Sequence, residues 1–224
     1  MKILIDARPF VDPHAGGVTK FALGVVEALM KAMPDAAFTL VTTGLRHTQY
    51  TIPNTRYSSR HVLIPNKLWS FLSMIGVVSL DRVVKDKPDL LFLPNLGFTG
   101  RPHTPYFLLV HDLSFLIEPR WFRLRGRLWH RAVQAKRLIR EARHLFAVSE
   151  RTKQDLIEQL KIPADNITVI PIGLDPVKTF DELPLPLQGK RFVLAMGHGN
   201  TRKNSTCAQV AVEALRRDPK FSDV

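Results

Sequence analysis

The chain opens with MKILIDARPFVDPHAGGVTKFALGVVEALMKA, residues 1–32, and the reading of this stretch decides the fold. Lys2 to Ala7 is an apolar run of strand length. Its apolar residues are consecutive, not alternating, which is how a strand reads when its sheet is covered on both faces. A loop follows, and Gly16-Gly17 opens a segment in which Val18, Phe21, Ala22, Val25, Leu29 and Ala32 recur at helical spacing. Further strand candidates lie at Phe38–Thr43, His61–Pro65, Leu90–Pro94, Tyr106–His111, His144–Val148, Ile167–Ile172 and Arg191–Met196. Strands alternating with helix-length segments imply parallel βαβ units. The fold class is therefore α/β, a Rossmann-like doubly wound, mostly parallel sheet.

One boundary is visible in composition. Between Gly173 and Gln188 lie Pro176, Pro184 and Pro186 with acidic Asp175, Asp181 and Glu182, which is the signature of a linker. The expected division is a first domain over 1–174, a linker over 175–189 and the first strand and helix of a second α/β domain over 190–224. A single βα pair cannot bury its own faces, so this second domain is expected to be incomplete. The alternative is that residues 190–224 add to the first sheet.

The 224 residues are 45% hydrophobic and 23% charged, ordinary for a globular protein able to bury a core. The single cysteine, Cys207, leaves no internal disulfide and fits a reducing compartment. Met1 to Asp6 lacks the apolar length and cleavage site of a signal peptide. No run reaches the roughly 18 apolar residues of a membrane-spanning helix, and Leu68 to Leu80 is interrupted by Ser70, Ser73 and Ser79. A net charge of +12 calls for a polyanionic partner: phosphorylated substrate, anionic membrane surface or nucleic acid. No nucleic-acid reader motif is present, so nucleic acid is not an expected partner. The densest basic stretch, Arg120 to Arg143, interleaves nine cations with Trp121, Phe122 and Trp129. Placed on one helix, Leu128, Ala132, Ala135, Leu138, Ile139 and Ala142 share a face. Such a helix packs on a sheet by that face, and its basic back can also meet an anionic membrane. Leu68 to Val84 is a second apolar patch, for which burial is the simpler reading.

In open parallel sheets ligands bind beyond the carboxyl ends of the strands. Candidate site residues are those that follow each strand. Asp6 and Arg8 follow the first. Gly16 and Gly17 open the next helix, where backbone N–H groups can approach an anion; glycines can equally shape a turn there. His111 and Asp112 follow the Tyr106 strand, where a histidine can donate a hydrogen bond or move a proton near neutral pH, or be structural. Ser149 and Glu150 follow the His144 strand and read most simply as a helix cap; with Asp6 and Arg8 they are also the acceptor or cleft candidates, and His111 with Asp112 the catalytic ones. Arg202 and Lys203, with His198 before them, precede a helix from about Ser205 to Arg217 and suit a diphosphate. There is no Asp-x-Asp, no triphosphate-binding loop and no zinc-ligand spacing among Cys207 and the histidines, so no metal and no cofactor is expected.

In order along the chain, Asp6-Ala7-Arg8, Gly16-Gly17-Val18, Val110-His111-Asp112-Leu113, Ala147 through Lys153, Ile167 through Asp175, and Gly197 through Asn204 resemble glycosyltransferase family 4, the retaining enzymes of the GT-B fold. The resemblance implies that residues 1–174 are the acceptor-side domain and 190–224 the start of the donor-nucleotide domain. It implies a hexosyltransferase, mannosyltransferase-like, moving a sugar from a nucleotide-diphosphate sugar donor to a lipid-linked or glycan acceptor. Transfer would be retaining and metal-independent, in envelope polysaccharide or lipopolysaccharide synthesis. Gly16 and Gly17 would line the cleft near the donor phosphates, His111 would face the transferred sugar, and Arg202 and Lys203 would hold the leaving diphosphate. The family's paired glutamates of the second domain would lie beyond Val224, so the chain by itself is expected to be an inactive fragment. The expected location is cytoplasmic, peripheral on the inner face of the cytoplasmic membrane. The alternative function is a non-catalytic, half-length membrane- or partner-binding module.

Overall fold

The structure, a computed structural model, describes residues 1–11, 16–46, 52, 55–173, 188–189, 191–195 and 203–221. It divides into two compact units, Met1–Gly173 and Leu174–Val224.

The larger unit is built on a seven-stranded sheet. Its strands are β1 (Lys2–Asp6), β2 (Ala37–Thr43), β3 (Ser58–Val62), β4 (Leu90–Leu93), β5 (Tyr106–Val110), β6 (His144–Ala147) and β7 (Ile167–Val169). Their order is β3-β2-β1-β4-β5-β6-β7, and every neighbouring pair is parallel. The chain winds one way from β1 to β3 and the other way from β4 to β7, so the winding reverses between β1 and β4. At such a reversal the connecting loops diverge and leave a crevice at the carboxyl ends.

The consecutive apolar residues of the strands divide between two cores, one on each face. Ile3, Ile5, Phe92 and Leu109 pack with Ala22, Val26 and Met30 of α1 (Gly17–Ala32). Leu4, Leu91, Leu93, Leu108, Val110 and Leu145 pack on the other face with Trp69, Leu138, Ile139 and Leu156. These come from α2 (Asn66–Met74), α5 (Ala135–Glu141) and α6 (Glu150–Leu160). Burying aliphatic side chains on both faces, at about 1.5–3 kcal/mol for each one fully buried, is what holds a parallel sheet.

The basic stretch departs from its expectation. It forms two helices, α4 (Leu124–Ala132) and α5, following a short α3 (Ser114–Ile117). Gln134 lies between them at φ 59°, in the left-handed region. That conformation costs about 1–2 kcal/mol outside glycine. It is offset because Val133 and Ala135, on either side, are both buried. The bend takes Leu128 out of the shared face, so Leu128 is 53% exposed while Leu138 and Ile139 are buried. The α2 patch departs too: Trp69 is buried, but Leu68, Phe71, Met74, Ile75 and Val77 are exposed. An added Cβ at Gly100 (φ +76°) would collide with the Val78 carbonyl oxygen, so only glycine lets the segments around residues 78 and 100 touch. No described helix is long and apolar enough to cross a membrane.

In the smaller unit, α7 (Ser205–Leu215) forms where a helix is expected. Residues 191–195 form no strand and are exposed, in contrast to the strand read at Arg191–Met196. A strand is stabilised by its ladder, and no described neighbour pairs with this segment.

Candidate functional site

The crevice at the β1–β4 reversal holds a cavity of about 230 Å³. Asp6 ends β1 and is 3% exposed at its side chain, and Arg8 is 15% exposed. Arg8 Nε donates to Asp6 Oδ1 at 2.7 Å and Nη2 donates to Oδ2 at 2.6 Å, a bidentate ion pair. Nη1 donates to the Phe98 carbonyl at 2.8 Å, which also accepts from Trp69 Nε1 at 2.8 Å. The guanidinium stands 5.4 Å over the Trp69 ring. Asp6 and Arg8 therefore form a fixed wall of the cavity with most of their bonding capacity directed at each other and at the backbone. Thr43 and Asn66 complete the polar lining, with the Thr43 hydroxyl donating to Asn66 Oδ1 at 2.8 Å. This bond leaves the Asn66 amide N–H groups as donors beside the cavity. Thr43, Asn66 and Trp69 were not among the sequence candidates. The same rule finds two of them: Thr43 ends β2 and Asn66 starts the helix after β3, both at carboxyl ends.

His111 lies just past β5. Its Nε2 is 3.1 Å from the Pro94 carbonyl, and since a carbonyl only accepts, Nε2 carries the proton. Burial pushes the His111 pKa down from its usual value, against the smaller opposing effects of the Pro94 bond and the Asp112 charge. At neutral pH the ring is thus neutral, with Nδ1 bearing a lone pair. Donation to a ligand, one role open to it from sequence, is taken by Pro94; acceptance remains. The ring meets Phe21 of α1 edge-on at 6.1 Å, one helical turn beyond Gly17. Its carbonyl accepts from the Thr152 hydroxyl at 3.3 Å, at the first turn of α6. So His111 joins β4, α1 and α6 at the strand ends.

Gly16 is the N-cap of α1 at φ −97°, and its carbonyl accepts from Thr19 and Lys20. An added Cβ at Gly16 or Gly17 would meet nothing within 4 Å, so described packing does not demand glycine at either position. Asp112 is exposed, and its Oδ1 accepts the Ser114 backbone N–H at 3.0 Å and the Ser114 hydroxyl at 2.5 Å, which starts α3. Ser149 caps α6: its Oγ accepts from Thr152 N at 3.1 Å, and Glu150 is exposed in the first turn. Ser149→Ala should lower stability by about 1 kcal/mol. Thermal melting checks this, and an unchanged melting temperature would mean that the cap bond carries no stability. Lys203 belongs to the smaller unit and is exposed just ahead of α7. Arg202, Gly197 and His198 lie outside the described residues, as does most of the 175–189 linker. Among the described residues no group of histidine, cysteine or carboxylate side chains could hold a metal ion.

Comparison with known proteins adds to this geometry. The model of Glycosyltransferase Family 4 matches residues 15–178, most of the chain. Among solved structures, HepE of Anabaena, in complex with UDP and glucose, is 16% identical with a TM-score of 0.41, over 78% of this chain and 45% of its own. The lipopolysaccharide outer core galactosyltransferase WaaB, in apo form, is 14% identical with a TM-score of 0.36, over 81% of this chain and 47% of its own. The chain spans less than half the length of either. No curated protein matches it.

Proposed function

The chain belongs to glycosyltransferase family 4, and from that premise we propose that its larger unit is the acceptor-side half of a sugar-nucleotide glycosyltransferase. The observation that carries this reading is His111, a neutral imidazole held at a strand's carboxyl end opposite the first turns of α1. Its Nδ1 accepts a hydrogen bond from a hydroxyl of the transferred sugar. The Gly16-Gly17 backbone lets the donor diphosphate approach the α1 N-terminus closely. Arg202 and Lys203 hold the diphosphate as negative charge develops on it. The Asp6 carboxylate is committed to Arg8 and that of Asp112 to Ser114, which supports a retaining path without a carboxylate nucleophile from this unit. The reaction uses no metal and no cofactor beyond the nucleotide-diphosphate sugar. The transferred group is a hexose, mannose-like, and the acceptor a lipid-linked or glycan chain of the cell envelope. By this reading residues 190–224 begin the donor domain, and the chain alone is inactive.

The full-length gene product tests this directly. Incubated with radiolabelled nucleotide-diphosphate hexoses and an envelope extract, it should move label into the lipid or polysaccharide fraction, undiminished by EDTA, with the donor's anomeric configuration kept. No transfer from any donor defeats the reading, and loss with EDTA defeats its metal-independent part.

The protein works at the inner face of the cytoplasmic membrane. The basic α4–α5 stretch and the exposed apolar residues Leu68, Phe71, Leu124 and Trp129 support this location. Vesicles rich in phosphatidylglycerol should pellet the protein and pure phosphatidylcholine should not, with salt weakening the effect. Equal pelleting by both would remove the electrostatic part. The same exposed apolar surfaces favour a second reading, a half-length binding module that does not itself catalyse. Intact mass of the native gene product separates the two, since a product near 25 kDa favours the module and one near ~40 kDa accommodates a second domain.

A further inference from the structure

A second cavity, of about 480 Å³, opens between α3, α4 and α5. Its volume falls within the roughly 300–1,000 Å³ typical of small-molecule sites. The bend at Gln134 creates it, because the chain turns there and α5 leaves the line of α4. Four cations surround the hollow: Arg127 and Arg131 from α4, Lys136 and Arg137 from α5. No acidic residue lines it; the nearest carboxylate contact to these four is Glu141, 3.9 Å from Arg137 Nη1 on α5. The remaining wall is Phe115, Leu116, Pro119 and Ala135, with His130 and Gln134 as its uncharged polar members.

Two features separate this hollow from an ordinary basic surface. Arg137 is held in place by its Nη2, which donates to the Gly100 carbonyl at 2.9 Å. Its Nε is buried and has no hydrogen-bond partner. Held this way, the guanidinium is a fixed cation in the cavity wall, and an anionic oxygen entering the cavity gains a charge-assisted contact with it. Second, the four cations repel one another across the hollow. Arg127 and Arg131 are four residues apart on one helix, a spacing at which like charges oppose helix formation. An anion between them removes that repulsion.

The apolar wall says what the anion is attached to. Phe115 lies flat against His130, with ring centroids 4.3 Å apart and planes at 3°. One face of the Phe115 ring is thereby occupied. Leu116 and Pro119 offer aliphatic contact instead. We propose that the α3–α4–α5 cavity binds a phosphate monoester carried on an aliphatic body, the phosphate among Arg127, Arg131, Lys136 and Arg137 and the aliphatic part against Leu116 and Pro119. Nothing in this rests on sugar transfer, and its test uses neither donor nor turnover.

The test is calorimetric titration of the full chain at physiological salt. The probes are dihexanoyl phosphatidic acid below its micellar concentration, dihexanoyl phosphatidylcholine, inorganic phosphate and uridine monophosphate. The expected result is saturable one-to-one binding of the phosphatidic acid, at least about tenfold tighter than inorganic phosphate or uridine monophosphate, with no saturable binding of the choline lipid. Arg127→Gln with Arg131→Gln should weaken it at least about tenfold. Both side chains are exposed, so the fold should survive, and circular dichroism checks that it does. Arg140→Gln with Arg143→Gln removes two equally exposed cations that do not line the cavity, and should bind as wild type. Absence of saturable binding overturns the proposal. So does equal binding of inorganic phosphate or uridine monophosphate, or an equal loss in the Arg140/Arg143 variant, which would mean diffuse charge and no site.

Discussion

Replacing His111 by alanine in the full-length protein should lower sugar transfer by about 10²–10⁴-fold, the range for removing a positioned polar group from a reacting centre. The melting temperature should fall only slightly. Among the described residues the ring's hydrogen bond goes to Pro94, worth about 1 kcal/mol net. The effect should carry a pH signature. Burial lowers the His111 pKa below 6.5, so the lone pair on Nδ1 is present above that lowered value. It is lost when a second proton binds. Transfer should therefore be flat around neutrality and fall as pH drops through a value below 6.5. His111→Gln retains one donor for Pro94 and one acceptor for substrate, so it should recover part of the rate and lose the acid limb. Near-wild-type turnover by His111→Ala would remove His111 from the site.

The second large effect is on stability. Asp6→Ala leaves the mostly buried Arg8 guanidinium without its carboxylate. Breaking a buried pair by removing one partner costs about 3–5 kcal/mol, because the remaining charge stays desolvated. Arg8 is 15% exposed and borders a cavity of about 230 Å³. Water can reach it, and the lower end of the range is expected. For a unit of this size about 3 kcal/mol lowers the melting temperature by roughly 6–12 °C. Removing both charges, Asp6→Ala with Arg8→Met, should cost less than Asp6→Ala alone, since no charge is then stranded. A melting temperature within about 2 °C of wild type for Asp6→Ala would mean that solvent replaces the carboxylate at little cost.

Strand positions were legible because parallel strands buried on both faces are apolar throughout. All seven strands of the sheet fall within a few residues of their expected places. The β3 strand shows the limit: it runs Ser58–Val62, where His61–Pro65 was expected. An edge strand has only one neighbour and exposes much of its length, so the pairing with β2, from Thr39 to Ser58 through Thr43 to Val62, sets its bounds and hydrophobicity does not. Ser149 read correctly as a cap because capping is decided within one helical turn. The path of Arg120–Arg143 could not be read the same way. A continuous helix and a bent pair share one periodicity, and the bend at Gln134 is favoured only when Val133 and Ala135 both find the core.

By itself, then, the sequence determined the α/β class, the winding of a parallel sheet and the strand ends where ligands collect, because those follow from local periodicity and the rules of strand connection. Tertiary structure alone decided how the polar groups at those ends are engaged. Arg8 is turned to Asp6 and Phe98, and His111 gives its proton to Pro94 and keeps a lone pair. Thr43 ends β2 and Asn66 opens α2, and nothing in the local sequence marks their meeting. A hydrogen bond depends on atoms brought together from as far as 90 residues apart, as in the Arg8–Phe98 contact, and no local pattern in the chain encodes that meeting.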